Sequence, residues 1–147
     1  MFAHSKYKMW AVWWMSAVSI FVIPFTWWTL AFYIMFQGFG TVIAYHRYYS
    51  HKSFEFRHPA IKWLFTYFGL MAGQGSPLIW SAVHKAHHRF TDTDKDPHSP
   101  VHGLWRSFVC MDFESFDLRT VARMAKQKIH VIFHQYYILI LVGSWIL

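Results

Sequence analysis

Apolar residues are distributed very unevenly along this chain. Residues 9–45 contain no Asp, Glu, Lys or Arg. The run is too long for one bilayer crossing and fits two of roughly 17–20 residues each. Pro24 lies near its middle and Trp27 and Trp28 follow. The pattern predicts a transmembrane helical hairpin, broken at Pro24, with the tryptophans at the far interface. A second apolar stretch, 61–72, is short and bounded by Lys62 and by Gly73-Gln74-Gly75-Ser76-Pro77. Its length predicts an interfacial or protein-buried segment rather than a span. Residues 112–128 predict a loop and an amphipathic surface helix. From residue 129 the chain is apolar again, with no charge after Lys128, as expected for the start of a further span. The fold class this predicts is an all-α membrane protein: a hairpin at 9–45, a cap at 46–128, and a returning helix at 129–147.

Composition sharpens this picture. Of 147 residues, 55% are hydrophobic and 22% aromatic, heavy for a soluble domain and natural where rings sit at membrane interfaces. The net charge of +7 comes from basic residues flanking apolar runs. Lys6 and Lys8 precede the hairpin; Arg47, Lys52, Arg57 and Lys62 follow it. Both ends are therefore expected in the cytoplasm. A cleaved signal peptide fits less well, because a second apolar segment follows at once. No nucleic-acid-reading pattern is present. Cys110 has no internal partner and reads as a small buried hydrophobe.

The polar interruptions carry the candidate chemistry. His84, His87 and His88 stand at i, i+3 and i+4 in His84-Lys85-Ala86-His87-His88, one face of a helix. Protonated, three such rings would repel each other; neutral, they can turn their lone pairs to a shared metal. His46 and His51 follow the second expected crossing, but a spacing of five is a poor shared face on an α-helix. They converge only if the helix ends or bends between them. If both groups serve one site, both lie on one side of the bilayer. After the second group, Asp92, Asp94 and Asp96 alternate in a loop that lacks the Gly and terminal Glu of an EF-hand. They are either a solvated loop or carboxylates that accept ring N–H groups of liganding histidines. His98 and His102 could add ligands or contact substrate, and their spacing does not decide. His130 and His134 are read as interfacial or packing residues at the mouth of a span.

The run His46-Arg47-Tyr48-Tyr49-Ser50-His51-Lys52-Ser53-Phe54 resembles the first histidine box of membrane fatty acyl desaturases of the Δ9, stearoyl-CoA desaturase-like type. Its pattern there is H-R-x-x-x-H, a basic residue, Ser, then Phe or Tyr. His84 to His88 resembles the second box, H-x-x-H-H, and Asp96-Pro97-His98 and Gly103-Leu104-Trp105 also match that branch. The resemblance implies a four-span architecture with a cytosolic cap holding two non-haem iron ions. The site would desaturate a saturated acyl chain with O2, and electrons would come from cytochrome b5 or ferredoxin. It implies His46, His51, His84, His87 and His88 as iron ligands, and Gln74 and Trp80 as lining for the bend of the acyl tunnel. Alternatively, Trp80 is an interfacial aromatic and Gln74 satisfies backbone in its turn. Imidazole suits iron, and an unactivated C–H bond needs a metal–oxygen oxidant that only a cofactor supplies.

Two departures are visible. A third H-x-x-H-H is absent from the 147 residues, so the expectation is the amino-terminal part of one desaturase domain, inactive by itself. An Arg-Asp pair that contacts coenzyme A in acyl-CoA enzymes is replaced by Ala82 and Val83, which leaves substrates linked to lipid or carrier protein open. The competing readings are an acyl hydroxylase or other monooxygenase of the same histidine-box superfamily and a non-catalytic metal-binding membrane protein. The expected partners are an acyl substrate, O2, an electron donor and membrane lipid, with no nucleic acid.

Overall fold

A computed structural model describes residues 21–104 and 116–146, apart from the side chain of residue 145, together with residues 11, 14, 15, 17–19 and 107. The first arm of the expected hairpin lies largely outside the described residues, as does Cys110. The described residues are helical and contain no strand. The longest helix, α1, runs from Trp27 to Ser50. Thr26 caps it, its hydroxyl accepting from the Thr29 amide at 3.1 Å, which satisfies one of the amides a helix start leaves open. After one α-helical portion, Trp27–Tyr33, the winding widens to i→i+5 hydrogen bonding over Ile34–Ser50. This helix alone, among the described residues, is long and apolar enough to cross a membrane. Its first part, including Trp27, Trp28 and Tyr33, is exposed and makes no core.

Helix α2, Pro59–Met71, starts at a His58 cap with Pro59 in its first turn. A proline there loses no hydrogen bond that the helix would otherwise make. At 13 residues it is roughly 20 Å long, short of the ~30 Å hydrocarbon thickness. It crosses α1 very closely. A Cβ on Gly40 would collide with the backbone of Phe68 and Gly69, and one on Gly69 would enter the Tyr45 ring. Tyr45 fills that contact and is fully buried.

The chain then reverses through Gly73 and Gly75, both at positive φ, a conformation that costs glycine little. Two tyrosines clamp the turn. Tyr45 Oη donates to the Gly75 carbonyl at 3.3 Å, and the Gly75 amide donates to Tyr137 Oη at 3.1 Å. Helix α3, Pro77–Phe90, begins at Ser76, whose hydroxyl accepts from the Ile79 amide. Its residues Leu78, Ile79, Ala82, Val83 and Ala86 are buried, so the histidines fall on the remaining face.

The last elements brace α3. Asp117 caps α4, Leu118–Ala125, by accepting from the Thr120 amide at 2.8 Å. Its own amide donates to the Ala82 carbonyl of α3 at 3.0 Å, and its carboxylate pairs with Arg89 at 2.8 Å. Helix α5, Lys128–Gln135, is followed after Tyr136 by α6, Tyr137–Ile146. His134 of α5 bonds Ser76 at 3.0 Å, and Ser144 of α6 accepts from Tyr67 Oη at 2.8 Å. The core thus gathers Ala44, Tyr45, Leu70, Leu78, Ile79, Val83, Met124 and Leu141 from every one of these helices except α5.

Candidate metal centre

The end of α1 and the middle of α3 bring four imidazoles together. The ligand-capable ring nitrogens of His46, His51, His84 and His88 all lie within 4.8 Å of one another. The widened winding of α1 explains the first pair. The His51 amide donates to the His46 carbonyl at 3.0 Å, an i→i+5 bond, so residues five apart stack on one face and their ring centroids sit 4.5 Å apart. Functional sites are a common place for such winding. The second pair uses ordinary α-helical i,i+4 spacing, with centroids 4.5 Å apart. His84 is central: its Nε2 is 3.1 Å from His51 Nε2 and 3.1 Å from His88 Nε2.

Those separations suit a shared ion. Imidazole nitrogens bind zinc at about 2.0–2.1 Å, so two on one ion at 90–110° stand roughly 2.8–3.4 Å apart. One ring nitrogen offers either a proton or a single lone pair, so His84 Nε2 cannot make two ordinary hydrogen bonds here. Burial, reinforced by the neighbouring imidazoles His46, His88, His51 and His87, pushes the His84 pKa down to about 3. His51 is also lowered, by burial and then by His46, His88 and Lys85. Both rings are therefore neutral near pH 7, each with a lone pair free for a metal. An all-imidazole set suits iron, zinc, copper or nickel.

His87 is set apart. Its Nδ1 lies 2.8 Å from Asp96 Oδ1, and an ionised carboxylate only accepts, so Nδ1 carries the proton and Nε2 keeps its lone pair. Asp96 is buried. Burial raises its pKa, but hydrogen bonds from His87 and from the His98 and Asp92 amides outweigh this, and the net shift is downward. Of the three loop acids, Asp96 is therefore the one that bonds a histidine of the second group. Asp92 contributes its backbone amide to that carboxylate. Asp94 is exposed and lies 3.8 Å from His102. His98 packs edge-on against His87 with centroids 5.4 Å apart; burial lowers its pKa, with a further contribution from His87.

Trp80 lies one turn before His84 and stacks on its ring at 4.8 Å and 23°. The indole N–H donates to Gln74 Oε1 at 3.0 Å. Because that N–H is donor-only, the amide orientation is fixed, and Gln74 Nε2 donates to Gln37 Oε1 at 3.1 Å. Sequence reasoning overlooked Gln37; an amide in a charge-free apolar run was the signal that could have found it. His130 is buried between Tyr49 and Trp63, away from the four-ring cluster.

No family model matches the chain. Curated proteins do. Over 98 residues, 63% of this chain and 30% of the relative, it is 42% identical to acyl-CoA 5-desaturase AL21 of Anemone leveillei. Over 81 residues, 53% of this chain and 25% of the relative, it is 44% identical to Delta-9 acyl-lipid desaturase 1 of Arabidopsis thaliana. Over 121 residues, 74% of this chain and 33% of the relative, it is 32% identical to probable lipid desaturase ADS3.2, chloroplastic, of the same plant. The matched stretches thus span about a quarter to a third of these proteins' length.

Proposed function

We propose, for a chain that is a relative of the acyl-CoA and acyl-lipid desaturases, that it carries part of the iron site of an enzyme placing a cis double bond in a saturated acyl chain. The observation that carries the proposal is the convergence of His46, His51, His84 and His88, together with the likeness to proteins named for acyl desaturation. These four imidazoles would hold one iron. His87, oriented by Asp96, would offer Nε2 to a second. Bound iron supplies the O2-dependent oxidising power that no side chain here possesses. The protein's own part is to hold the rings neutral, to fix their directions, and to wall the acyl slot with Trp80, which Gln74 and Gln37 hold in place.

In this reading α1 spans the bilayer as one arm of a hairpin at 9–45, within a four-span architecture, and the cap at 46–128 presents the histidines to the cytoplasm. Residues 129–147 begin the next span. The acyl chain, linked to lipid, coenzyme A or carrier protein, enters from the membrane, and electrons arrive from a donor such as cytochrome b5 or ferredoxin. We place the double bond at Δ9. A Δ5 product is the second reading, favoured by the likeness to the Anemone protein.

The test is a chimera that joins this chain to the remaining length of the Arabidopsis Delta-9 acyl-lipid desaturase, expressed in membranes with iron and O2. Gas chromatography of the acyl chains is expected to reveal a new cis-monoene that His87→Ala removes while membrane insertion persists. A hydroxylated chain with no alkene would reject desaturation. Bound zinc under iron-replete expression, with no oxygen consumption, would favour a non-catalytic metal protein.

A further inference from the structure

A cavity of about 190 Å³ opens between the end of α1 with its following turn and helices α4 and α5. It is smaller than the roughly 300–1,000 Å³ of sites for drug-sized ligands. It exceeds by several-fold the ~30 Å³ that one water occupies in the liquid. Three features suit it to a small anion. His130, 1% exposed, lines it, and His130 Nδ1 has no hydrogen-bond partner among the described residues. A buried polar atom without a partner calls for an explanation, a bound water or ion being one.

Two cations share the lining. Arg123 is held in place by donating from Nη2 to the Tyr49 carbonyl at 3.1 Å. Lys52 sits at the rim in a left-handed conformation, φ 54°. That conformation is uncommon for lysine, unlike Gly, Asn or Asp, and such outliers concentrate at functional sites. Neither cation pairs with a carboxylate among the described residues. The opposing charge in the lining is Glu55, exposed at the rim.

The geometry points to a phosphate-binding site: one phosphate group, free or on a lipid head group, held by the Arg123 guanidinium, the Lys52 ammonium and the His130 Nδ1–H. A guanidinium presents a planar fork of donors and an ammonium a compact charge, and both are residues of phosphate recognition. With His130 they put donors from three separate side chains around one cavity, which suits a group with several oxygens better than a carboxylate with two. Glu55 opposes the anion and sets a ceiling on affinity.

The experiment uses the 147-residue chain purified in an uncharged, phosphate-free detergent. Inorganic phosphate is titrated by calorimetry, and in a parallel arm the chain is placed in phosphatidylcholine nanodiscs with or without phosphatidic acid and followed by 31P NMR. Saturable one-to-one binding is expected in at least one arm: the calorimetric arm assigns free phosphate, the nanodisc arm alone a head group. Arg123→Gln should weaken binding about tenfold or more, the size of a lost charge-assisted hydrogen bond. Lys52→Gln, at an exposed turn that cannot unfold the core, should weaken it several-fold, and Glu55→Gln should tighten it. Cobalt titration of the histidine cluster, unchanged in each variant, reports that the fold is intact and is independent of the phosphate readout. No saturable binding in either arm by the folded wild-type chain overturns the assignment. So does binding that both the Lys52 and Arg123 variants leave unaltered.

Discussion

A histidine–aspartate pair and a four-histidine cluster lie side by side at α3 and are held by opposite means. The His87–Asp96 pair is local. Both partners come from α3 and the loop that follows, nine residues apart, and two backbone amides of that loop complete the carboxylate. The four-ring cluster is non-local. It joins His51 to His84 across 33 residues and has no carboxylate among its four members. The first group is directed chiefly by hydrogen bonds, with His98 packed edge-on against the His87 ring. The second is directed by helix winding and by the packing of α1 against α2 and α3, and its rings meet Nε2 to Nε2 with no carboxylate among them. A preformed orientation thus comes from a neighbour in sequence in one case and from the fold in the other.

That distinction can be broken at its centre. His84→Ala removes the ring whose Nε2 meets both His51 and His88. Metal affinity of the cluster should fall by more than the roughly 10–100-fold typical of losing an outer partner. A cobalt or iron titration of the purified chain measures it, and wild-type affinity would mean the four rings do not act together.

Gly40→Ala attacks the same cluster from a distance. Its methyl would strike the backbone of Phe68 and Gly69, which cannot rotate away as a side chain can. The expected cost is about 1–3 kcal/mol of stability, seen as a lowered melting temperature. Cluster affinity should drop with it while the His87–Asp96 pair survives, as read by the His87 ring signals in NMR. Loss of both groups together would erase the local and non-local contrast.

Asp96→Asn is the converse. It keeps the shape but removes the charge that fixes the His87 tautomer. Metal affinity at His87 should fall about 10–100-fold, with the four-ring cluster unchanged in the same titration. The smallest effect is expected from Gln37→Leu, which leaves Gln74 Nε2 without its acceptor. A cost of roughly 0.5–1.5 kcal/mol, read by thermal melting, would sharpen the contrast by showing that fold-held rings also depend on polar support.

The sequence made some of this readable and hid the rest. The i, i+3, i+4 spacing on α3 placed three histidines on one face, and burial of the opposite face follows from Leu78, Ile79, Ala82 and Val83. It did not separate His87 from its neighbours, because that depends on which of three alternating acids folds inward. Only the turn that brings the Asp92 and His98 amides onto one carboxylate selects Asp96. The spacing of five between His46 and His51 argued against a shared face, since that inference assumes 3.6 residues per turn. A charge-free apolar stretch carries no mark of a wider winding. The apolar stretch at 61–72 was legible as too short to span because length alone decides it. His130 and His134 read as interfacial or packing residues, and His130 is buried between Tyr49 and Trp63; the cavity beside it was not legible, because its walls come from three separate elements.

The wide winding of α1 has a mechanical side. Its 24 residues would measure roughly 36 Å as a regular α-helix; with more residues in each turn the same stretch is shorter. Reach and register are therefore a single variable in this helix. Any pull along its axis that lengthens it must tighten its turns, and tighter turns swing His51 off the face it shares with His46.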